Sequence, residues 1–136
     1  TRESAAINIC KDLLEEGAIL NIHDPKVEKW QISRDLESKC VNSSNYNNTN
    51  IVPHNGSWTF SKTIYEAVKD SDAVVVLTEW EEYSLIDWER VSKMMRHPSW
   101  VFDSRSIIDP KEVKKFGLNL WRIGDGYEQY LNYKFN

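Results

Sequence analysis

The sequence has none of the short motifs that mark most catalytic or phosphate-binding sites. Its five glycines form no Gly-x-Gly-x-x-Gly fingerprint and no P-loop, and no serine lies in a nucleophile elbow. Its two cysteines and three histidines show no metal-ligand or catalytic-triad spacing, and neither cysteine sits in a nucleophile motif. Taken alone, the sequence predicts no catalytic residues and no metal site.

Long apolar runs and an excess of positive charge are also missing. No apolar stretch approaches the ~20 residues of a membrane span, and no signal peptide opens the chain. A net charge of -4 argues against a nucleic-acid or membrane partner. Two cysteines without a disulfide framework favour the cytoplasm. With 136 residues, 40% of them hydrophobic, we expect one globular domain over residues 1–136.

The clearest local signal is the apolar run Ala73-Val74-Val75-Val76-Leu77. It predicts a strand that is buried on both faces of a parallel sheet. Shorter patterns predict four further strands and five intervening helices. The strands are expected at 18–22, 57–60, 99–103 and 118–122, and the helices near 6–14, 28–36, 64–69, 88–97 and 111–116.

This alternation predicts an α/β fold, a Rossmann-like doubly wound parallel sheet with helices on both faces. Such a domain normally begins with a strand, whereas this chain begins with a helical pattern, so we expect the first strand to lie upstream of Thr1. Residues 37–56 are rich in Ser and Asn and lack periodicity, which predicts a flexible loop. Asp87 and Asp109 are expected to cap helices, and Gly17 and Gly117 to end them.

Function is expected where parallel strands end, because ligands of open α/β sheets bind at the carboxyl ends of strands. Glu79 follows one such strand, and Asp103 and Arg105 follow another. The planar, permanently charged fork of Arg105 suits a phosphate or carboxylate. Asp103 would orient Arg105 or bind a ligand hydroxyl. Glu79 would accept hydrogen bonds from a sugar or base, or hold Arg105 in place.

Each candidate has a simpler interpretation. From spacing alone, Arg105 is also compatible with a surface arginine paired with Asp109, and Glu79 with a loop carboxylate that has no functional role. Asp24 is in a position to take a ribose hydroxyl, but an Asp-Pro turn is favoured since no glycine fingerprint precedes it. Trp80 is expected to pack rather than to stack on a ligand.

Several short motifs, in this order and spacing, give the sequence a family resemblance. They are Thr1-Arg2-Glu3-Ser4, Leu14-Glu15-Glu16-Gly17-Ala18, Asp24-Pro25-Lys26-Val27, Gln31-Ile32, Asp35-Leu36, Tyr65-Glu66-Ala67, Thr78-Glu79-Trp80 and Phe102-Asp103-Ser104-Arg105. From Thr1 to about Gly124 the chain resembles the C-terminal UDP-binding domain of the UDP-glucose 6-dehydrogenases, in the UDP-glucose/GDP-mannose dehydrogenase family. Where the family pattern has glycine and tyrosine, this chain has Ser104 and His23.

The resemblance implies a substrate, a cofactor and partners. Arg105 would contact UDP-glucose, with Asp103 and Glu79 beside it. Arg2 would reach the NAD cofactor, which is bound mainly by an N-terminal domain. The family oxidises UDP-glucose to UDP-glucuronate with two NAD, through a thioester on a cysteine that neither Cys10 nor Cys40 matches.

The same resemblance implies further features of the whole enzyme. A central helical region would support a homo-oligomer, and this chain alone would bind the nucleotide-sugar without oxidising it. The first alternative is the same domain of a UDP-N-acetylmannosamine or GDP-mannose dehydrogenase. A distant alternative is a non-catalytic receiver-like module, whose order of acidic residues and strands differs from the one around Asp103.

Overall fold

The computed structural model describes residues 3–43 and 56–123. The chain forms two compact units, residues 1–63 and 64–136, and each is described by itself below. All strand pairs are parallel and helices alternate with them, which confirms the predicted α/β class. Two predicted features lie outside the described residues: Arg2 and the part of the predicted loop over 44–55.

Within residues 3–43 and 56–63, the first unit contains two helices and two strands. They are α1 (Glu3–Glu15), β1 (Ile19–Ile22), α2 (Lys29–Ser43) and β2 (Ser57–Phe60). The strands β1 and β2 pair in parallel, with Ile19 opposite Ser57 and Ile22 opposite Phe60. Leu14, Ile32 and Leu36 form the buried core of this unit. Leu14 in α1 and Ile32 with Leu36 in α2, at helical spacing, therefore produce the packing of this unit.

Two glycines shape the C-terminal end of α1. Gly17 has a φ of 89°, and its N–H donates to the Leu14 carbonyl at 3.0 Å, as predicted for a helix-ending glycine. The Gly56 N–H donates to the same carbonyl at 3.1 Å. A Cβ at Gly56 would overlap the Ala18 carbonyl oxygen and lie 2.9 Å from that of Leu14. β2 can therefore begin beside the end of α1 because residue 56 has no side chain.

Helix α2 is longer than the sequence indicates. It runs to Ser43, whereas the predicted helix ends at Leu36 and the predicted loop starts at Glu37. Loop structure is thus the wrong expectation for residues 37–43. Residues 37–43 of the sequence, Glu-Ser-Lys-Cys-Val-Asn-Ser, contain no apolar repeat, so periodicity carries no signal for the turns that continue the helix.

The part of the second unit that the structure describes, residues 64–123, contains three strands, three α-helices and a 3-10 helix. The elements are α3 (Ile64–Val68), β3 (Ala73–Val76), the 3-10 helix Glu81–Leu85, α4 (Trp88–Met94), β4 (Trp100–Asp103), α5 (Pro110–Lys115) and β5 (Asn119–Arg122). The sheet order is β3-β4-β5, all parallel. Val91, Val101 and Val113 are fully buried and lie in one cluster, which joins α4, β4 and α5.

The strand β3 is not buried on both faces, contrary to the prediction. Its burial alternates, with Val76 buried and Val75 42% exposed. On the same side of the sheet as Val75, the rings of Trp100 and Phe102 stack with centroids 5.7 Å apart, and Trp121 lies 6.4 Å from Phe102. A run of valines is compatible with a strand that is buried on one face or on both. The sequence therefore does not reveal that the face of the sheet with the aromatic rings is exposed.

No helix within the described ranges is both long enough and apolar enough to cross a bilayer.

Candidate functional site

Three neighbouring strands of the second unit end together at one edge of the sheet. Val76 of β3 pairs with Asp103 of β4, which in turn pairs with Arg122 of β5. Because these strands are parallel, their carboxyl ends lie at the same edge, the position at which ligands bind in open α/β sheets. The residues that follow the strands are therefore brought together, as the sequence predicts.

The helices that return from this edge begin at the predicted caps. The Asp87 carboxylate accepts from the Arg90 N–H at 3.2 Å at the start of α4. The Asp109 carboxylate accepts from the Lys111 N–H at 2.9 Å, and Pro110 follows as the first residue of α5. The Asp87 cap fixes the start of α4, and the Asp109 cap fixes the start of α5 and so the point where the segment after β4 ends.

Asp103 is a buried carboxylate whose two oxygens accept backbone hydrogen bonds. It is 0% exposed; Oδ1 accepts from the Arg105 N–H at 3.0 Å and Oδ2 from the Ile108 N–H at 2.9 Å. Charge-assisted bonds of this kind are about twice as strong as neutral ones. The carboxylate thus fixes the path of the segment that carries Arg105. This geometry fits the predicted orienting role; direct contact of Asp103 with a ligand stays a prediction.

Residues 104–109 connect β4 to α5 and are called the β4–α5 loop. The Ser104 hydroxyl donates to the Val76 carbonyl at 2.6 Å, and its N–H points to the same oxygen at 3.2 Å. Ser106 has a φ of 57°, a left-handed conformation that costs a non-glycine residue about 1–2 kcal/mol. Left-handed geometry occurs at Ser106 and not at Ser104, so serine in place of the family glycine at 104 introduces no backbone strain.

Arg105 forms an ion pair with Glu79 across this edge. Its Nη2 atom lies 2.8 Å from Glu79 Oε1, with the two side chains 38% and 58% exposed. Of the two roles predicted for Glu79, the contact supports that of holding Arg105. The guanidinium is thus accessible from solvent. Because an exposed ion pair of this kind contributes only about 0–1 kcal/mol to stability, Arg105 can exchange Glu79 for a ligand at little cost.

Of the simpler interpretations, the pairing of Arg105 with Asp109 is wrong, whereas those for Asp24 and Trp80 agree with the structure. Asp109 serves as a helix cap, and Arg105 pairs with Glu79 instead. Asp24 Oδ1 accepts from the Lys26 N–H at 2.8 Å, as expected for an Asp-Pro turn. Trp80 packs against the buried cluster of the second unit, which confirms the packing role.

Sequence reasoning missed one cation of this edge, Arg122. It is the last residue of β5, and its Nη1 donates to the Ile108 carbonyl at 3.1 Å. The rule that drew attention to Arg105, a polar residue at the carboxyl end of a parallel strand, applies equally to Arg122. Among the described residues, no group of three or more His, Cys, Asp or Glu is placed to hold a metal ion.

Parallel strands that end in a shared polar edge place the second unit among the α/β domains that bind ligands at the carboxyl ends of their strands. The sequence model of the UDP-glucose/GDP-mannose dehydrogenase family, UDP binding domain, matches residues 1–110. The chain belongs to this family, and it corresponds to the UDP-binding domain.

Individual relatives agree with the family match. The UDP-glucose 6-dehydrogenase of Drosophila melanogaster is 38% identical over 129 residues, which cover 95% of this chain and 26% of the relative. That of Caenorhabditis elegans is 37% identical over 132 residues, covering 97% and 26%. UDP-glucose 6-dehydrogenase 3 of Arabidopsis thaliana is 33% identical over 136 residues, covering 96% and 28%. The chain thus spans about a quarter of the length of these curated relatives.

Proposed function

We propose that this chain is the substrate-binding domain of an NAD-dependent UDP-glucose 6-dehydrogenase, referred to below as the intact enzyme. The observation that carries the proposal is the placement of Arg105 at the carboxyl edge of a parallel sheet, in a chain that belongs to this family. The names of its relatives supply the substrate, UDP-glucose, and the relatives extend well beyond the matched region. In this proposal the intact enzyme oxidises UDP-glucose to UDP-glucuronate.

Each residue of the edge then has a distinct role. Arg105 binds the anionic, nucleotide end of UDP-glucose through its guanidinium, which matches phosphate oxygens in a fork geometry. Glu79 holds the guanidinium toward the edge before the ligand arrives. Asp103 fixes the backbone on which Arg105 is carried. Together they hold the substrate so that the sugar C6 reaches reacting groups on another part of the enzyme.

The described residues do not fit an NAD site of their own. Within residues 3–43 and 56–123, no connection from a strand to the next helix contains the glycine-rich turn of a dinucleotide-binding fold. We therefore propose that NAD, the hydride acceptor, is bound mainly by an N-terminal domain, with Arg2 reaching it from this chain. Other proposed features of the intact enzyme are a central helical region, a homo-oligomeric assembly and a cytoplasmic location.

The proposal is tested by Arg105→Ala in the intact enzyme. A charge-assisted contact contributes about 1.5–3 kcal/mol, so we expect KM for UDP-glucose to rise at least about tenfold with a much smaller change in kcat. Arg96→Ala is the matched control, because Arg96 is an exposed arginine of the same unit that pairs with Asp72 near the opposite ends of the strands. An unchanged KM in Arg105→Ala would remove Arg105 from the substrate site.

Two further measurements separate the alternatives. UDP-glucose, UDP-N-acetylmannosamine and GDP-mannose supplied in turn to the intact enzyme identify the sugar nucleotide, and UDP-glucose is expected to have the highest kcat/KM. The 136-residue chain alone is expected to form no NADH with UDP-glucose and NAD, because neither of its cysteines matches the family nucleophile. NADH formation by that chain would contradict this division of labour.

A further inference from the structure

The β4–α5 loop is fastened to both neighbouring strands of its sheet. On the β3 side, the Ser104 hydroxyl binds the Val76 carbonyl at 2.6 Å. On the β5 side, the Ser106 hydroxyl donates to the Ile123 carbonyl at 3.3 Å, and Arg122 Nη1 donates to the Ile108 carbonyl at 3.1 Å. Arg105 therefore sits in a loop held from two sides rather than on a free segment.

The contact from Arg122 is the one that closes the far end of this loop. Ile108 is buried, with 3% exposure, and its N–H donates to Asp103 Oδ2 while its carbonyl accepts from Arg122. Asp103 also accepts a hydrogen bond from the Arg105 N–H. The Asp103 carboxylate therefore links Ile108, which Arg122 contacts, to Arg105. A shift of Ile108 would thus be passed to Arg105 through Asp103.

The loop needs such restraint because its conformation is not one that its residues prefer. Ser106, directly after Arg105, has a φ of 57°, in the left-handed region that a serine seldom adopts. A conformation of this kind persists only where the surrounding contacts hold the backbone in place. The Arg122 guanidinium is suited to this role, since its planar fork offers several N–H donors and its apolar stem can pack beside the loop.

We infer that Arg122 is a positioning residue for Arg105: it holds the Ile108 carbonyl so that the loop presents the Arg105 guanidinium to the anionic end of the substrate. This inference rests on the proposed function of the edge. Arg122 lies in β5, beyond residues 1–110 that the family model matches, so the family match does not assign it this role.

The test compares Arg122→Met with Arg122→Lys in the intact enzyme. Methionine keeps an unbranched apolar stem but cannot donate to Ile108, whereas lysine keeps a charged donor. For Arg122→Met we expect KM for UDP-glucose to rise by about three- to tenfold, with kcat and the KM for NAD unchanged. Hydrogen exchange at the Arg105 and Ile108 amides should also accelerate. Arg122→Lys should move both readouts back toward the wild-type values.

A double variant separates positioning from general structural damage. If Arg122 acts through Arg105, adding Arg122→Met to Arg105→Ala produces no further rise in KM, because the group being positioned is gone. A full additional rise in that background would overturn the inference, as would an unchanged KM in the single variant. Failure of Arg122→Met to fold would also overturn it, since the residue would then be structural. If Arg105→Ala itself leaves KM unchanged, the proposed function fails instead.

Discussion

Arg105 and Glu79 hold each other at 2.8 Å, although they follow different strands of the sheet and are separated by 26 positions in the sequence. Glu79 comes after β3 and Arg105 after β4, and the parallel pairing of these strands brings the two side chains to the same edge. The Glu79 carboxylate thus contacts the Arg105 guanidinium directly. A phosphate that binds Arg105 must therefore share the guanidinium with Glu79 or displace it.

The first prediction concerns the role of this carboxylate. In the intact enzyme, Glu79→Ala should raise KM for UDP-glucose by a few-fold, less than Arg105→Ala does, because exposed ion pairs contribute only about 0.2–1 kcal/mol. Glu79→Gln should lie between wild type and Glu79→Ala, because the amide oxygen still accepts a hydrogen bond from Arg105. A decrease in KM would instead identify Glu79 as a competitor of the anionic ligand.

The second prediction concerns the buried carboxylate of Asp103. In Asp103→Asn, one of the two backbone N–H donors, at Arg105 or Ile108, faces an amide N–H₂ and loses its acceptor. An unsatisfied buried donor costs about 1–3 kcal/mol, so exchange of the 105 and 108 amides should accelerate by roughly five- to 150-fold. Hydrogen exchange with mass spectrometry on the intact enzyme measures this change.

A matched substitution provides the control for Asp103→Asn. Asp87 is an exposed helix cap that accepts a single N–H, and asparagine caps helices about as well as aspartate. Asp87→Asn should therefore leave local exchange close to wild type. Equal effects of the two substitutions would show that the double hydrogen bond at Asp103 has no special importance.

The third prediction concerns the close approach at Gly56. Gly56→Ala places a methyl group against the backbone carbonyls of Ala18 and Leu14, which cannot move aside as a flexible side chain would. Overpacking of this kind typically costs about 1–3 kcal/mol, so the first unit should become less stable. Faster hydrogen exchange in β1 and β2 of the intact enzyme is the expected result.

Gly117→Asn is the contrasting variant for Gly56→Ala. Gly117 has a φ of 81°, and the position of its absent Cβ is open, with no atom within 4 Å. Asparagine tolerates left-handed geometry better than other side chains, so only a small loss of stability in the second unit is expected. If Gly56→Ala proves as mild as Gly117→Asn, steric contact is not the reason for glycine at position 56.

The fourth prediction concerns Cys10, a partly buried thiol beside the core of the first unit. Burial disfavours the thiolate and raises the pKa of Cys10 above 9.0. At pH 7–8 we expect slow alkylation by iodoacetamide, followed in the peptide that contains Cys10 by mass spectrometry, with a rate that rises with pH beyond pH 9. Alkylation as fast as that of a free model thiol at pH 7.5 would contradict the burial.

The same shift gives the sign of a stability effect. Because the folded-state pKa is raised, the contribution of the protonated thiol is fully present below the unfolded pKa of about 9 and is lost as pH rises through the folded value. Unfolding of the first unit should thus become easier in alkaline solution. Cys10→Ala should weaken that part of the alkaline trend, because alanine does not titrate.

Local chemistry was predictable from the sequence wherever one residue determines the structure. Asp87 and Asp109 cap helices because a carboxylate before a helical pattern satisfies free N–H groups, and Gly17 ends α1 because few other residues adopt its φ. The carboxyl-edge rule likewise found Glu79 and Arg105 before their contact was known. In these cases a short stretch of chain contains the whole physical cause.

The remaining features depend on residues far apart in the sequence. The pairing of Arg105 with Glu79 rather than Asp109 follows from the register of β3 and β4, which composition does not reveal. The contact of Arg122 with Ile108 needs the register of β4 and β5 in addition. The C-terminal turns of α2, beyond Leu36, contain no apolar repeat, so their helical state leaves no trace in the pattern.

The position of Trp80 has a practical consequence. This indole follows Glu79 directly in the chain and packs against the interior of its unit. If a nucleotide draws Arg105 away from Glu79, as the proposed function implies, the charge distribution one peptide unit from the ring changes. Tryptophan emission is sensitive to nearby charge, so ligand binding would change the contribution that Trp80, one of six tryptophans in the chain, makes to the emission.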